Sequence, residues 1–267
     1  MFFFGITLAF MSKPKFKSVF LSDIHLGTKG CQADILNEFL KNHDFDNLFL
    51  VGDIIDGWRM SSKTYWPQEH VNTIRRFLHF AKKGTKIFLI SGNHDDFLRK
   101  YQPQKFGNIT LAEEAEYTST DGTKYLIIHG DQFDLVTTYG RYLALLGDWI
   151  YTILLRANIY LNGIRRRFGY GYWSLSNYLK QRVKTAVNFI SDFEIHVSNE
   201  CKKRGFDGVI CGHIHRAEIS EINGIKYKNC GDWVESCTAL VENLDGSFEI
   251  IDWAKKLNNK IYLAKVS

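Results

Sequence analysis

The sequence contains no CxxC pair and only five cysteines, an odd number at irregular spacing. This pattern excludes a thiolate zinc finger and, in a chain of 267 residues, argues against a disulfide framework. We therefore expect a reducing compartment, with the cysteines serving mainly as small core residues. They are Cys31, Cys201, Cys211, Cys230 and Cys237.

We expect neither a membrane-spanning segment nor a signal peptide at the start of this sequence. The apolar run before Lys13 is too short to cross a bilayer and has neither a basic leader nor a small-residue cleavage pattern. We expect residues 1–16 to form a disordered or loosely docked tail, with Met11 as an alternative start and weak membrane contact as an alternative role. Residues 257–267 are expected to form a second tail. The expected location is the cytoplasm, with peripheral attachment to the inner membrane as the alternative.

Strong charge of one sign is absent from the chain as a whole. The net charge of +5 is too small to indicate nucleic-acid binding, and no nucleic-acid partner is expected. The positive charge is confined to the segment from Gly140 to Gly205, which has 11 Lys and Arg against four Asp and Glu. No internal repeat or low-complexity stretch is present either.

Short continuous apolar runs alternate with helical patterns along the chain. Such runs, rich in branched and aromatic residues, are typical of strands buried on both faces. The runs are Ser18–Leu21, Leu48–Val51, Ile87–Ile90, Tyr125–Ile128 and Gly208–Cys211. Helices are predicted at Ala33–Lys41 and Val71–Lys82, where apolar residues recur on one side. The alternation predicts an α/β fold with catalytic groups at the carboxyl ends of strands.

The C-terminal part predicts antiparallel hairpins, because alternating strands flank turn signals at Asn223-Gly224 and Asp245-Gly246. Its predicted strands are Glu218–Ile222, Ile225–Asn229, Thr238–Glu242 and Phe248–Asp252. We expect them to form a second sheet packed on the first, so that residues 17–256 make a two-sheet sandwich flanked by helices. Residues 135–204 interrupt this scheme and are interpreted as an inserted helical cap.

Five short motifs rich in Asp, Asn and His follow predicted strands. A lone buried Asp or His is more often structural, but five such motifs in order at strand ends are hard to explain by core packing. They are SDIHLG (Asp23, His25), GDIIDGW (Asp53, Asp56), GNHDD (Asn93, His94, Asp95), HGD (His129, Asp131) and GHIHRAE (His213, His215). We interpret them as parts of a single site.

The residue types of these motifs indicate a metal centre. Asp, Asn and His without thiolate suit manganese, iron or zinc better than calcium. Asp23 and His25 are expected to face one way, because alternate residues of an extended chain share a side, and the same holds for His213 and His215. Asp53 follows a glycine, which lets the backbone approach closely enough for this carboxylate to bridge two metals. Two cations about 3.5–4 Å apart would clamp a phosphate and activate a bridging water.

The order of the motifs, from about Ser18 to Glu242, resembles the calcineurin-like metallophosphoesterase superfamily. The resemblance implies a hydrolase with two divalent ions, manganese first, with iron and zinc as alternatives. It implies two ligand sets, Asp23, His25, Asp53 and His215 for one metal and Asp53, Asn93, His129 and His213 for the other. It also implies that Asp53 bridges the metals, that His94 contacts the phosphate and protonates the leaving oxygen where needed, and that Asp95 orients His94.

Within the superfamily, the chain is most similar to the UDP-2,3-diacylglucosamine pyrophosphohydrolases of lipid A synthesis. The similarity rests on SDIHLG, GD-x-x-D-x-W, HGD before a long helical insertion, GHIHRAE and NCGDWVESCTAL. It implies hydrolysis of UDP-2,3-diacylglucosamine to UMP and 2,3-diacylglucosamine 1-phosphate. The best-known members carry Arg where this chain has His94, so another phosphomonoester or phosphodiester is the alternative substrate. A non-catalytic scaffold is a third alternative, which predicts lost ligands.

The predicted cap contains a segment, Tyr142–Arg156, that is apolar on nearly all sides of a helix. Burial under a second cap helix, contact with an acyl chain or membrane, and a subunit contact are the alternatives, so the oligomeric state stays open. Trp149 is a candidate substrate contact in this segment. Arg165, Arg166 and Arg167 either form a solvated basic corner or contact phosphate or anionic lipid.

Four residues near the motifs have two interpretations each. Asp56 and Asp131 either orient the ligating histidines or form turns. Trp58 and Trp233 either stack on a uracil or pack at the rim of the site. Packing is favoured for both, and Trp233 is retained as a candidate substrate contact.

Overall fold

A computed structural model describes residues 13–62, 64–133, 193–257 and 259. Most of the predicted cap, including Tyr142–Arg156 with Trp149 and the three arginines at 165–167, lies outside these residues. Residues 1–12 and 260–267 of the predicted tails lie outside them as well. Within the described ranges, no helix is long and apolar enough to cross a membrane.

The first sheet contains seven described strands in the order β12-β11-β1-β2-β3-β5-β4. Numbered along the chain, they are β1 (Lys15–Leu21), β2 (Asp44–Val51), β3 (Lys86–Ile90), β4 (Gln104–Phe106), β5 (Ile109–Ala112), β11 (Thr238–Glu242) and β12 (Phe248–Asp252). Strands β1, β2, β3 and β5 run parallel to one another. Strand β1 begins two residues before the predicted domain start at 17.

The second sheet contains five described strands in the order β6-β7-β8-β10-β9. They are β6 (Glu114–Thr118), β7 (Lys124–Ile128), β8 (Gly208–Cys211), β9 (Glu218–Ile222) and β10 (Ile225–Asn229). Strands β7, β8 and β10 are parallel. The β9–β10 hairpin turns at Asn223 and Gly224, whose φ angles of 53° and 79° match the turn that Asn-Gly favours.

The membership of the two sheets differs from the prediction that the C-terminal hairpins alone form the second sheet. The β9–β10 hairpin does join β7 and β8, but the β11–β12 hairpin pairs antiparallel with β1, with Ser18 opposite Glu242. The turn signals specify which strands form a hairpin, but they carry no information about the sheet edge it joins. Strand β11 covers the edge that β1 would otherwise leave unpaired, and all of its residues are buried.

Helices cover the outer faces of both sheets. Helices α1 (Ala33–Asn42) and α3 (Gln68–Lys82), confirmed at the predicted positions, pack on the first sheet through residues such as Phe39 and Phe77. A helix with described residues 193–203 packs on the second sheet through Phe193 and Val197. The short α2 (Gly57–Ser62) was not predicted. The result is an α/β fold of two mixed sheets between helices, as the apolar faces of each element require.

Aromatic and aliphatic side chains fill the space between the two sheets. The rings of Phe20 and Phe49 stack 4.9 Å apart, and Ile127 and Ile210 face them from the second sheet. All five cysteines are free thiols, and all except Cys31 are buried, which confirms their predicted role in the core.

The carboxyl ends of six parallel strands meet at one end of the sandwich. Strands β1, β2 and β3 contribute the loops with SDIHLG, GDIIDGW and GNHDD, and strands β7, β8 and β10 contribute the loops with HGD, GHIHRAE and GDW. The fold therefore brings the five predicted motifs to one place.

Candidate metal centre

Five of the seven predicted metal ligands have left-handed backbone conformations. Their φ angles are 50° at Asp23, 53° at His25, 55° at Asp53, 72° at His213 and 53° at His215. Such angles are uncommon outside glycine and cost roughly 1–3 kcal/mol each, so surrounding structure must hold them. The prediction that Asp-x-His segments face one way because they are extended is therefore wrong in its reason. Tight turns, and not strand alternation, aim these side chains.

Backbone hydrogen bonds hold the first two of these turns together. The N–H of Asp23 donates to the carbonyl of Gly52 (3.1 Å), and the N–H of His25 donates to the carbonyl of Asp53 (2.9 Å). The SDIHLG and GDIIDGW loops are thus fastened side by side, which brings their carboxylates and imidazoles together.

Each of the two central carboxylates uses one oxygen for the backbone and keeps the other for the centre. Asp53 Oδ1 accepts the N–H of His94 (2.8 Å), and Asp23 Oδ2 accepts the N–H of His213 (3.0 Å). The second oxygens face imidazoles: Asp53 Oδ2 lies 3.4 Å from His129 Nε2, and Asp23 Oδ1 lies 3.2 Å from His215 Nε2. Both carboxylates are almost fully buried.

The ligand atoms form three overlapping groups, each with its atoms within 4.8 Å of one another. The groups are Asp23, His25 and His215; His25, Asp53 and His94; and Asp23, Asp53 and His129. The ring of His213 lies beside that of His129, with centroids 5.1 Å apart. The structure therefore gathers the predicted Asp and His ligands around Asp23 and Asp53, in an arrangement consistent with two metal ions.

Three buried polar atoms at this centre fit a bound cation. Asp23 Oδ1, Asn93 Oδ1 and His129 Nε2 make no hydrogen bond of acceptable geometry with any described residue. His129 Nδ1 lies 3.0 Å from the carbonyl of Val51, which can accept its proton, so Nε2 would offer a lone pair to a cation once its own proton is lost. Buried polar atoms without hydrogen-bond partners are costly unless another charge compensates them. Carboxylate, amide and imidazole donors together suit a transition-metal pair.

The ionisable groups at the centre shift one another's pKa values strongly. Burial lowers the pKa of His129, but the neighbouring Asp53 and Asp23 carboxylates outweigh it and raise the pKa to about 10. Burial also lowers the pKa of His215, but the Asp23 carboxylate outweighs this effect and the pKa is raised to about 9. Despite burial, the three surrounding histidines hold the pKa of Asp23 well below its usual range. In the metal-free chain, protons on the histidines balance the charge that metal ions would otherwise supply.

We therefore expect manganese binding to release protons and to strengthen as pH rises. His129 and His215, with pKa values of about 10 and 9, are protonated at pH 7 without metal and must lose those protons to become ligands. Metal affinity should fall as pH drops from 9 to 6, and binding at pH 7 should release about two protons. Calorimetric titration of the metal-free protein in buffers of different ionisation enthalpy measures this release. Binding without proton release would contradict these ligand assignments.

His94 is oriented by Asp56, and the prediction that Asp95 orients it is corrected. Asp56 Oδ2 lies 3.0 Å from His94 Nδ1 and 3.3 Å from His25 Nδ1, so one carboxylate contacts both rings. The indole of Trp58 packs on His94 with centroids 4.2 Å apart. Asp56 Oδ1 also accepts the N–H of Arg59 (2.8 Å) at the start of α2, so both of its proposed roles are present.

Asp95 instead holds two loops together by accepting hydrogen bonds from their backbone. Its carboxylate accepts the backbone N–H groups of Gly92 (2.6 Å) and Ile54 (2.8 Å), and it is completely buried. Adjacent side chains on a turn diverge, so Asp95 points away from the ring of its sequence neighbour. Its contacts hold the loops that carry Asp53 and His94.

Replacing each of these two aspartates by asparagine should separate the two roles. Asp56→Asn weakens the hold on two imidazoles and should lower kcat by about 10–100-fold with little change in melting temperature. Asp95→Asn turns an amide N–H₂ toward backbone donors and should destabilise the fold by about 1–3 kcal/mol. Kinetics with an aryl phosphate and thermal unfolding measure the two effects. A stable, inactive Asp95→Asn protein beside an active Asp56→Asn protein would restore the original assignment.

The remaining predicted residues are placed as follows. Asp131 pairs with Arg99 (2.6 Å between Oδ2 and Nη2), a cation that was missed because no motif marks it. The pair joins the loop after His129 to the short 3-10 helix Asp96–Tyr101. Trp233 is fully buried against Phe39 in the hydrophobic core, so its candidacy as a substrate contact is wrong, and it packs in the core and not at the rim of the site.

Comparison with known proteins agrees with this geometry. The sequence profile of a family described as calcineurin-like phosphoesterase matches residues 16–217, more than half of the chain. The chain therefore belongs to the calcineurin-like phosphoesterase family.

Two curated relatives illustrate the sequence similarity. A UDP-2,3-diacylglucosamine hydrolase from Shewanella sp. (strain ANA-3) is 27% identical over 241 residues, covering 86% of this chain and 95% of that protein. A protein of the same name from Neisseria meningitidis serogroup B is 23% identical, covering 85% and 93%. Among solved structures, a dimetal phosphatase from Danio rerio matches with a TM-score of 0.46 and 11% identity, covering 90% of this chain and 100% of that one.

Proposed function

We propose that this protein hydrolyses the diphosphate of a nucleotide-linked glycolipid of the UDP-2,3-diacylglucosamine type with two divalent metal ions, manganese first. The observation that carries the catalytic part is the pair of buried carboxylates, Asp23 and Asp53, each with one oxygen held by backbone and the other aimed at imidazoles. The substrate part is supported by relatives that share about a quarter of their residues with this chain over nearly their whole length.

The residues would divide the work as follows. Asp23, His25, Asp53 and His215 would hold one ion, and Asp53, Asn93, His129 and His213 the other. The bound ions would polarise the phosphoryl group and supply a hydroxide nucleophile near neutral pH.

His94 is the side chain that would contact the phosphate directly. Its ring is partly exposed to the cleft, and its Nδ1 lies 3.0 Å from Asp56 Oδ2, so Nε2 would be the nitrogen that donates to a phosphate oxygen. A donor held in place before the reaction stabilises developing charge without reorganisation. Where the leaving oxygen is a poor one, the same Nε2–H can protonate it.

Because the proposed substrate is a glycolipid, we propose that the protein makes peripheral contact with the cytoplasmic face of the inner membrane. Sedimentation with vesicles that contain anionic lipid tests this part separately from catalysis. Recovery of the protein only in the supernatant at low salt would contradict it.

The decisive assay compares UMP release from UDP-2,3-diacylglucosamine with hydrolysis of p-nitrophenyl phosphate by the manganese-loaded protein. The proposal expects a kcat/KM for the glycolipid at least about 100-fold higher, since binding of the whole substrate lowers the barrier. A faster reaction with the aryl phosphate would reject the glycolipid and keep the phosphoesterase.

Hydrolysis of another phosphomonoester or phosphodiester is the second candidate. The His94–Asp56 pair favours it, because a histidine that can donate a proton is most useful for an alkoxide leaving group. Under this alternative, His94→Gln should lose more activity toward alkyl than toward aryl phosphates. A non-catalytic scaffold is disfavoured, because it predicts lost ligands and the described chain retains all seven.

A further inference from the structure

A cleft of about 650 Å³ lies beside the metal centre. It is lined by His25, His94 and His215, by the loop after His25, by residues of α2 and by Tyr65. This volume is in the range of about 300–1,000 Å³ typical of sites for small organic ligands. A substrate held at the metals therefore has room to extend toward α2.

Two exposed cations that line this cleft have no acidic partner among the described residues. Lys29 and Arg59 both line it, and neither forms an ion pair with a carboxylate in the described ranges. The acid of the cleft, Asp56, is already engaged by His25, His94 and the backbone N–H of Arg59. The cleft thus presents uncompensated positive charge next to the position of the scissile phosphate.

The lysines at the opposite end of the first sheet show a different arrangement. Lys15 and Lys17 line a groove of similar size, but both approach Asp46, at 2.8 and 3.5 Å. Two further lysines at that groove, Lys83 and Lys86, form no ion pair in the described ranges, so an unpaired charge alone does not mark a site. Lys29 and Arg59 differ from them because they line the same cleft as His25, His94 and His215 of the metal centre.

The backbone that carries Lys29 is fixed relative to the metal centre. Thr28 Oγ1 donates to the carbonyl of His25 (2.9 Å), and the N–H of Gly27 donates to His70 Nδ1 on α3 (3.1 Å). A Cβ on Gly27 would lie 2.7 Å from Met60 Cγ, so the loop packs directly on α2. The two cations are therefore carried by elements packed against each other before any ligand binds.

We propose that Lys29 and Arg59 form a subsite for a second anionic group of the substrate, the phosphate on the far side of the scissile bond. Arg59 supplies a forked guanidinium suited to phosphate oxygens, and Lys29 supplies a compact charge. The inference rests on the proposed function and assigns Lys29 and Arg59 to the second phosphate of its diphosphate substrate. A monoester would leave the subsite empty.

Binding of UMP and UDP to the manganese-loaded protein tests the subsite directly, because these ligands differ by one phosphate. The wild-type protein should bind UDP at least about tenfold more tightly than UMP, measured by calorimetry with manganese in both solutions. In Lys29→Gln/Arg59→Gln the UDP preference should fall to about twofold or less, while UMP affinity stays within about threefold. An unchanged preference for UDP in this variant would overturn the inference, as would equal losses for both ligands.

The matched control is Arg75→Gln/Lys86→Gln, which removes the same charges from exposed positions on α3 and at the start of β3. It should keep the wild-type UDP preference, and a loss there equal to that of the test variant would also overturn the subsite. Failure of the proposed function is a separate result: no hydrolysis of any phosphoester by the metal-loaded wild type. A UDP preference that depends on Lys29 and Arg59 supports the subsite in either case.

Discussion

Asp53→Asn is expected to lower kcat/KM for every phosphoester by about 10³-fold or more, since several kcal/mol of metal-derived stabilisation would be lost. The carboxylate serves two sides at once: Oδ1 accepts the N–H of His94 at 2.8 Å, and Oδ2 lies 3.4 Å from His129 Nε2. An amide has only one oxygen, so it cannot both hold the His94 loop and bridge two cations. Steady-state kinetics with an aryl phosphate and metal analysis of the purified protein measure the effect.

The matched control for this substitution is Asp46→Asn. Asp46 lies on the surface, where it pairs with Lys15 at 2.8 Å, and such exposed pairs contribute about 0–1 kcal/mol. It should keep full metal content and activity. Wild-type activity in Asp53→Asn with both metals retained would contradict the assignment of Asp53 as a metal ligand.

Gly92→Ala should disrupt the metal centre although it replaces none of the predicted ligands. A Cβ at this position would lie 2.2 Å from Asp53 Oδ1 and 2.7 Å from His129 Cδ2, so one of these side chains must move. Overpacking of this kind costs about 1–3 kcal/mol of stability, and a displacement of about 1 Å at a reacting centre costs about 100-fold in rate. We expect a lower melting temperature, weaker manganese binding and at least this loss of activity.

Gly107→Ala is the control for Gly92→Ala. Gly107 has a φ of +59° with no atom within 4 Å of the added Cβ, so the change introduces backbone strain of about 1–2 kcal/mol but no collision. It should reduce stability alone and leave metal affinity and kcat unchanged. Equal effects of the two substitutions would show that the collision at Gly92 relaxes at no cost to the site.

Local patterns were sufficient for most elements of the fold. Continuous apolar runs predicted the five central strands, and Asn223-Gly224 predicted the β9–β10 hairpin, because each signal depends only on neighbours in sequence. Strands β4, β5 and β6 and the six-residue α2 escaped prediction, because each is short and has at most one buried residue, too little to produce a period. The pairing of β11 with β1 depends on which sheet edge is open, which no local pattern records.

Within the site, the identities of the ligands were more predictable than the reasons for their positions. Six strand ends converge because parallel strands share a direction, so Asp23, Asp53 and His129 could be placed together from sequence. The left-handed turns that aim them could not, because positive φ is uncommon even for Asp and His, although both are enriched there. The burial of Trp233 beside Phe39 likewise depends on the packing of α1.

The sequence by itself determined the class of this protein: the order of five motifs at strand ends identifies the family and predicts the metal-binding residues. Only the tertiary structure decided which aspartate lies beside which histidine ring. Asp95 follows His94 directly yet points into the loops below, whereas Asp56, 38 positions earlier, reaches its ring. Side chains adjacent in a turn diverge, while loops from neighbouring strands lie side by side, so proximity in space at this centre is set by the sheets and not by the spacing of residues.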